Sequence, residues 1–280
     1  MSDIAASIAS DIQTALANDE LILPSLPEVA LTIREEAESE KVTAASLSFV
    51  VSQDPGLAAQ LIKIANSPMF RATRSIDDLS QAISRLGVEY AATIVTGLAM
   101  QQMFQATSEM VDNKMRQTWR HSTDVAAWSS ILCQQLTRLR PDQATLAGLT
   151  HAIGVLPILA WVEENDHLIH DSITLDRVIE QAHPAIGTMI LQHWQFADEI
   201  VEVPAHYAAT NHQADQADYI DVVSAANMLT LHDLDEEHPL LHANWSTSPA
   251  FSRLELDPSE ESSQMEEMHE AVLGVKTVFS

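Results

Sequence analysis

The chain has 280 residues, enough to bury a sizeable apolar core in one large or two small domains. With 14 basic against 40 acidic side chains its formal charge is -26, which repels a polyanionic duplex and sets nucleic acid aside as a partner. Only 7 glycines beside abundant Ala, Leu, Ile and Met point away from a turn-rich sheet protein and towards an all-α fold.

Ile4, Ile8, Ile12 and Leu16 recur every four residues, with Ala5, Ala9 and Ala15 beside them, which predicts a first amphipathic helix ending near Asn18-Asp19. Pro27 at a first helical position opens a second helix, with Val29, Ala30, Ile33 and Ala37 on one stripe. Thr43 and Asp54 follow as N-caps of two short helices, the second with Pro55 in its first turn. Asn66-Ser67-Pro68 stops that helix, because proline disfavours helical geometry in the residue before it. A loop carrying Arg71 and Arg74 leads to a capping pattern of Ser75 with Asp78, and Gly87 closes the helix that follows. The segment from Val88 to Phe104 reads as a buried helix, and the polar residues Gln105 to Asp112 as a boundary.

A long helical pattern from Asn113 to Leu139 carries Trp119, His121 and Cys133. The next helix starts at Pro141-Asp142, delivers His151, and is ended or kinked by Gly154 and Pro157. Thr174 reads as the cap of a short helix to Ala182 and Pro184 as the opening of another, which puts His183 at a helix N-terminus. Helices over 200–207 and about 216–231 follow, and a capped C-terminal helix turns Met265, Met268 and Val272 inward. This organisation divides the chain into an N-terminal helical half (1–110), a second half (111–248) and a C-terminal extension (249–280). Cys133 is the single cysteine, so no intrachain disulfide can form. The acidic N-terminus does not resemble a secretion signal, and no uninterrupted apolar run approaches the ~18 residues that span a bilayer. A cytoplasmic protein without membrane insertion is expected.

Two sets of motifs together resemble one family. The first is Q-D-P-G-L-A-A-Q-L-I-K-I-A-N-S-P-M-F from Gln53 to Phe70, with L-P-S-L-P-E-V-A before it and Q-A-I-S-R-L-G after it. The second is W-R-H-S at Trp119, A-G-L-T-H-A-I-G at Ala147, H-P-A-I-G-T-M-I-L-Q-H-W at His183, and the region of His206. Over roughly residues 20 to 230 these are similar to HDOD domains. The resemblance implies an all-α bundle of two packed helical halves, distantly related to the HD and HD-GYP metal-dependent phosphohydrolases. It also implies a bacterial signalling or regulatory role as a non-catalytic output or scaffold module. Carried onto this sequence, the family's histidine positions are His121, His151, His183 and His206. The carboxylate that follows the second histidine in an active hydrolase corresponds to Ala152. A later Asp, expected in a helix of the form A-D-x-L, corresponds to Asn227 in S-A-A-N-M-L.

A methyl group binds no metal and an asparagine offers only a neutral carbonyl oxygen, so both anions that would offset a divalent charge are replaced. The expectation is a vestigial HD-type site of His121, His151, Ala152, His183, His206 and Asn227, with no catalytic residue and no cofactor. The four histidines are the candidate ligands if a divalent metal binds at all, as three-histidine zinc sites do. Asp221 is the acid nearest in sequence to replace the lost ligand, but six residues before Asn227 it lies about 240° round the helix. Bland roles stand beside these: His151 and His183 as core histidines bonded to backbone carbonyls, and His206 and His212 as exposed residues bracketing a loop.

Lys63, Arg71, Arg74 and Arg85 are a candidate anion site for a nucleotide messenger or an acidic partner helix, or else surface cations balancing Asp77 and Asp78. Asn66 and Ser67 read as cap and turn residues. Ser122 points about 100° away from His121 on a helix, which excludes a Ser-His pair, and Cys133 sits in an apolar stripe as core. The function expected is a non-catalytic regulatory module that binds a protein partner, and a small anionic, nucleotide-like ligand, in the groove between its halves. A structural homodimer and an altered metal-dependent phosphohydrolase are the alternatives.

Overall fold

The computed structural model describes residues 2–18, 21–67, 70, 75–165, 171–209, 212–234, 248–258, 263–276 and 278. Among these residues fifteen helices and no strand occur, the all-α bundle that composition and motifs imply. The first six helices are α1 (Ser2–Ala17), α2 (Glu28–Ala37), α3 (Ala44–Val51), α4 (Pro55–Ala65), α5 (Leu79–Leu86) and α6 (Val88–Gln101). The central four are α7 (Glu109–Leu136), α8 (Pro141–Thr150), α9 (Val155–Glu164) and α10 (Ser172–His193). Two single turns, α11 (Asp198–Val201) and α12 (Val203–His206), lead to α13 (Tyr219–Leu234), α14 (Pro249–Arg253) and α15 (Ser263–Lys276).

Side-chain oxygens set where several of these helices begin. Asp54, Asp78, Ser108 and Asp171 stand in extended geometry and accept from first-turn N–H groups that have no intrahelical acceptor. Thr43 and Ser46 cap each other reciprocally at the start of α3. Asp78 alone caps α5, and Pro27 stands just outside α2 rather than in its first turn. Gly87, at φ +85°, ends α5 and begins α6 in one residue, a left-handed conformation in which a Cβ would be strained.

The largest difference from the sequence reading lies in α10. Thr174 is not its cap, and Pro184 does not open a new helix. Asp171 accepts from the Thr174 N–H at 2.8 Å, and one helix of 22 residues runs on to His193 with Pro184 inside it. Proline removes the donor for the carbonyl four residues earlier, which belongs to Glu180. Glu180 is exposed, so water can take that carbonyl, while Ile179, Ala182, Ile186 and Ile190 keep the inner stripe buried. His183 therefore lies on the buried face in mid-helix, not at an N-terminus.

The buried side chains form one cluster that runs through both ends of the chain. α7 is its axis and packs against α8, α9, α13 and α15. α6, whose residues from Ala91 to Met100 are all buried, lies against α2 and α8. α1 packs on α10, so the first helix is fastened to a later element. Arg34 on α2 adds a polar tie: it donates to the Trp194 and Gln195 carbonyls at 3.0 and 3.2 Å and lies 4.0 Å over the Phe196 ring. At the C-terminal end Met265, Met268 and Val272 of α15 are buried, as their spacing predicts.

The stretch Pro141–Glu164 is long and apolar enough, by composition, to cross a membrane, although the sequence reading found no such run. Here it is two helices separated by the turn 151–154, and 89% of its most apolar window is buried inside the fold. That turn brings its backbone into contact with α10. A Cβ on Gly154 would meet the His183 carbonyl oxygen at 2.1 Å and the Gly187 nitrogen at 2.6 Å, so only glycine permits the approach.

Candidate functional site

Three of the four expected histidines converge at this crossing. His121 comes from the middle of α7, His151 from the residue just after α8, and His183 from α10. The His121 and His151 rings meet edge-on with centroids 5.5 Å apart. Tyr207, which follows α12, stands edge-on to His151 at 4.8 Å and lies 6.0 Å from His183. Asn227 of α13 closes the group, its Oδ1 2.8 Å from His121 Nε2. Ala152 is buried in the turn beside His151.

Hydrogen bonds to groups that only accept fix the tautomers of His121 and His151. Because Asn227 Oδ1 can only accept, His121 Nε2 carries the proton between them. His151 Nδ1 donates to the Gly148 carbonyl at 2.6 Å, which leaves Nε2 with a bare lone pair, buried and without a partner. Tyr207 Oη lies 3.3 Å from His183 Nε2, and His183 Nδ1 is buried without a partner. Burial first, and then the neighbouring His121 and His183, hold the His151 pKa down to about 3. Burial alone holds His183 down to about 4. Burial and the charge of Glu180 push the Tyr207 phenol up. At neutral pH the His151 and His183 rings are thus uncharged.

This donor set does not fit a divalent metal. Among the described residues no carboxylate completes a group of three ligand atoms with these imidazoles, one of the Nε2 atoms is protonated against Asn227, and the Tyr207 ring contacts both His151 and His183. Among the described residues one trio of potential ligand atoms lies within 4.8 Å of one another, and it is His212, Asp218 and Asp221, not the three histidines. That trio has a resident cation. Arg253 of α14 donates to both carboxylate oxygens of the buried Asp221, through Nε at 2.7 Å and through a terminal nitrogen, and reaches the His212 carbonyl at 3.1 Å. His212 Nε2 pairs with Asp218 at 2.8 Å.

The fourth expected histidine does not join the group. His206 is half exposed, pairs with Glu202 at 3.2 Å and stacks on His212 with centroids 6.3 Å apart. The next residue, Tyr207, occupies the place that the motif pattern assigned to His206. Asp221 faces away from the histidines, as its helical phase predicts. Tyr207 and Arg253 are the contributors that sequence reasoning missed.

Of the basic candidates, Arg71 and Arg74 lie outside the described residues. Lys63 is exposed, and Arg85 donates to the Ala65 carbonyl at 3.2 Å, capping the end of α4. Asn66 exchanges two hydrogen bonds with the Ile76 backbone, at 2.7 and 2.8 Å, and so clasps the ends of the intervening loop. A separate cleft of about 970 Å³ opens between α4, α6 and α7, with Lys276 of α15 at its edge.

Comparison with known proteins places this geometry. The HDOD domain model matches residues 23–210. A crystal structure of a candidate metal-dependent phosphohydrolase from Shewanella amazonensis is 28% identical, covers all of both chains and superposes with a TM-score of 0.81. An HDOD domain protein of unknown function from Geobacter sulfurreducens, 18% identical, covers 100% of this chain and 98% of its own with a TM-score of 0.70, which shows the shared fold. A protein of unassigned function from Treponema pallidum is 26% identical over 251 residues. That match takes in 84% of this chain but 46% of the relative, so the chain spans about half the length of that relative.

Proposed function

The chain belongs to the HDOD domain family, and we propose that it is a non-catalytic regulatory module that acts by binding a protein partner, with a small anionic ligand as a further effector. The carrying observation is the carboxylate-free histidine cluster, in which Asn227 bonds to His121 and the Tyr207 ring lies against His151 and His183. Metal-assisted phosphoester hydrolysis needs a cation to polarise the phosphoryl oxygen and lower the pKa of a bound water, and its charge is normally balanced by anionic ligands. Imidazoles that already hydrogen-bond an amide, a phenol and a carbonyl supply structural ties instead. The fold of a hydrolase is kept as a rigid frame, and its surfaces do the work.

The second reading is a weak metal-dependent phosphohydrolase. What favours it is the bare, buried lone pair of His151 Nε2, together with the likeness to the Shewanella protein. Metal content measured by mass spectrometry on protein purified without chelator separates the two. Far less than one metal per chain, unchanged in His151→Ala, is the expected result. Near one metal per chain, lost in His151→Ala and accompanied by phosphatase turnover, would replace the regulatory reading with the hydrolase.

A further inference from the structure

The cleft between α4, α6 and α7 draws three of the chain's 14 basic residues, Arg116, Arg120 and Lys276, into one concavity of about 970 Å³. In a chain of net charge -26 these three cations balance the three carboxylates of the same lining, so the cleft repels an acidic ligand less than the surface at large. The three carboxylates in the same lining are already engaged. Asp112 holds Arg116 at 2.7 Å, Asp124 holds Lys276 at 3.4 Å, and Asp54 caps α4 through the Gly56 and Leu57 N–H groups. Arg120, one helical turn after Arg116 and exposed, has no ion pair among the described residues. It presents a fork of donors suited to a carboxylate.

The remaining walls decide what else the ligand carries. Gln60, Gln101, Gln102 and Gln105 line the cleft, all exposed, and each offers both an amide donor and an amide acceptor. That is the complement of a peptide main chain. The apolar floor of Leu57, Leu98, Phe104 and Trp119 is almost completely covered by the fold, so it offers little area to an amphipathic helix. The Trp119 indole N–H in this floor also lacks an acceptor. A compact polyphosphate would meet Asp54, Asp112 and Asp124 at close range, whereas a peptide can place separated carboxylates on the arginines and amides on the glutamines.

We propose that this cleft is the docking site for an acidic peptide segment of a partner protein, with a carboxylate on Arg120 and main-chain amides on the glutamines. The inference rests on the reading that the chain binds a protein, and it names where and by what chemistry. Lys276 and Asp124 form one edge, so α15, which lies beyond the HDOD match, completes the site.

The test is selection of a displayed library of random short peptides on the full chain, compared with Arg116→Glu/Arg120→Glu. Both residues are exposed and Arg116 has only a surface ion pair, so the variant keeps the parental melting temperature. Enriched peptides are expected to be rich in Asp and Glu, to bind at least about tenfold more weakly to the variant, and to weaken with salt. Peptides that bind parent and variant equally would overturn the cleft while leaving partner binding intact. Failure to enrich any peptide would overturn the proposal, as would enrichment of neutral or basic sequences. A melting shift with GTP or tripolyphosphate that the double variant abolishes, without peptide binding, would assign the cleft to phosphate ligands instead.

Discussion

Mild acid should destabilise this protein through His151 and His183. Both rings are almost fully buried, and burial lowers their pKa values to about 3 and about 4, against about 6.5 for an unfolded imidazole. A group whose pKa is lower in the folded state stabilises the fold fully above its unfolded pKa, and that contribution is lost as pH falls towards the folded value. Between about pH 7 and pH 5 the unfolded chain gains about 0.7 proton at each residue while the native chain gains almost none. The loss is about 2 kcal/mol per histidine, or about 4 kcal/mol together, a large part of the ~5–15 kcal/mol by which domains are stable. The assay is urea unfolding followed by circular dichroism across this window, for the parent and for His151→Gln and His183→Gln. Each glutamine should remove about half of the parental pH slope, whatever it does to stability at neutral pH. A parent as stable at pH 5 as at pH 7, or glutamine variants that keep the full slope, would refute the reasoning.

Gly154→Ala should lower stability by about 1–3 kcal/mol or more, because its methyl would press on the His183 carbonyl and the Gly187 nitrogen, both backbone atoms that cannot rotate away; thermal melting checks it. Arg253→Ala leaves the carboxylate of Asp221, 1% exposed, without its counter-charge. That loss should cost about 3–5 kcal/mol in urea unfolding, and adding Asp221→Asn should recover part of it.

Much of the helix pattern is written locally. Thr43, Asp54 and Gly87 act through their own side chain or backbone within a few residues, so their roles are visible in a linear sequence. Pro184 shows where that logic fails. Proline starts helices in isolation, yet the buried stripe of α10 and the exposure of Glu180 let the helix run through it. The histidines divide in the same way. The motifs identified His121, His151 and His183, but one step at the end of α12 sends His206 to solvent and Tyr207 inward.

The residue types alone put a methyl at Ala152 and an amide at Asn227, the two positions that the resemblance assigns to carboxylates. They also made the chain helical, acidic and rich in apolar stripes. Packing decided the rest: which ring stands between the histidines, that Arg253 neutralises Asp221 from 32 positions away, and that Arg116, Arg120 and Lys276 share a cleft. Those outcomes depend on contacts between residues far apart in the chain, and short-range spacing carries no information about which distant side chains a closing fold brings together.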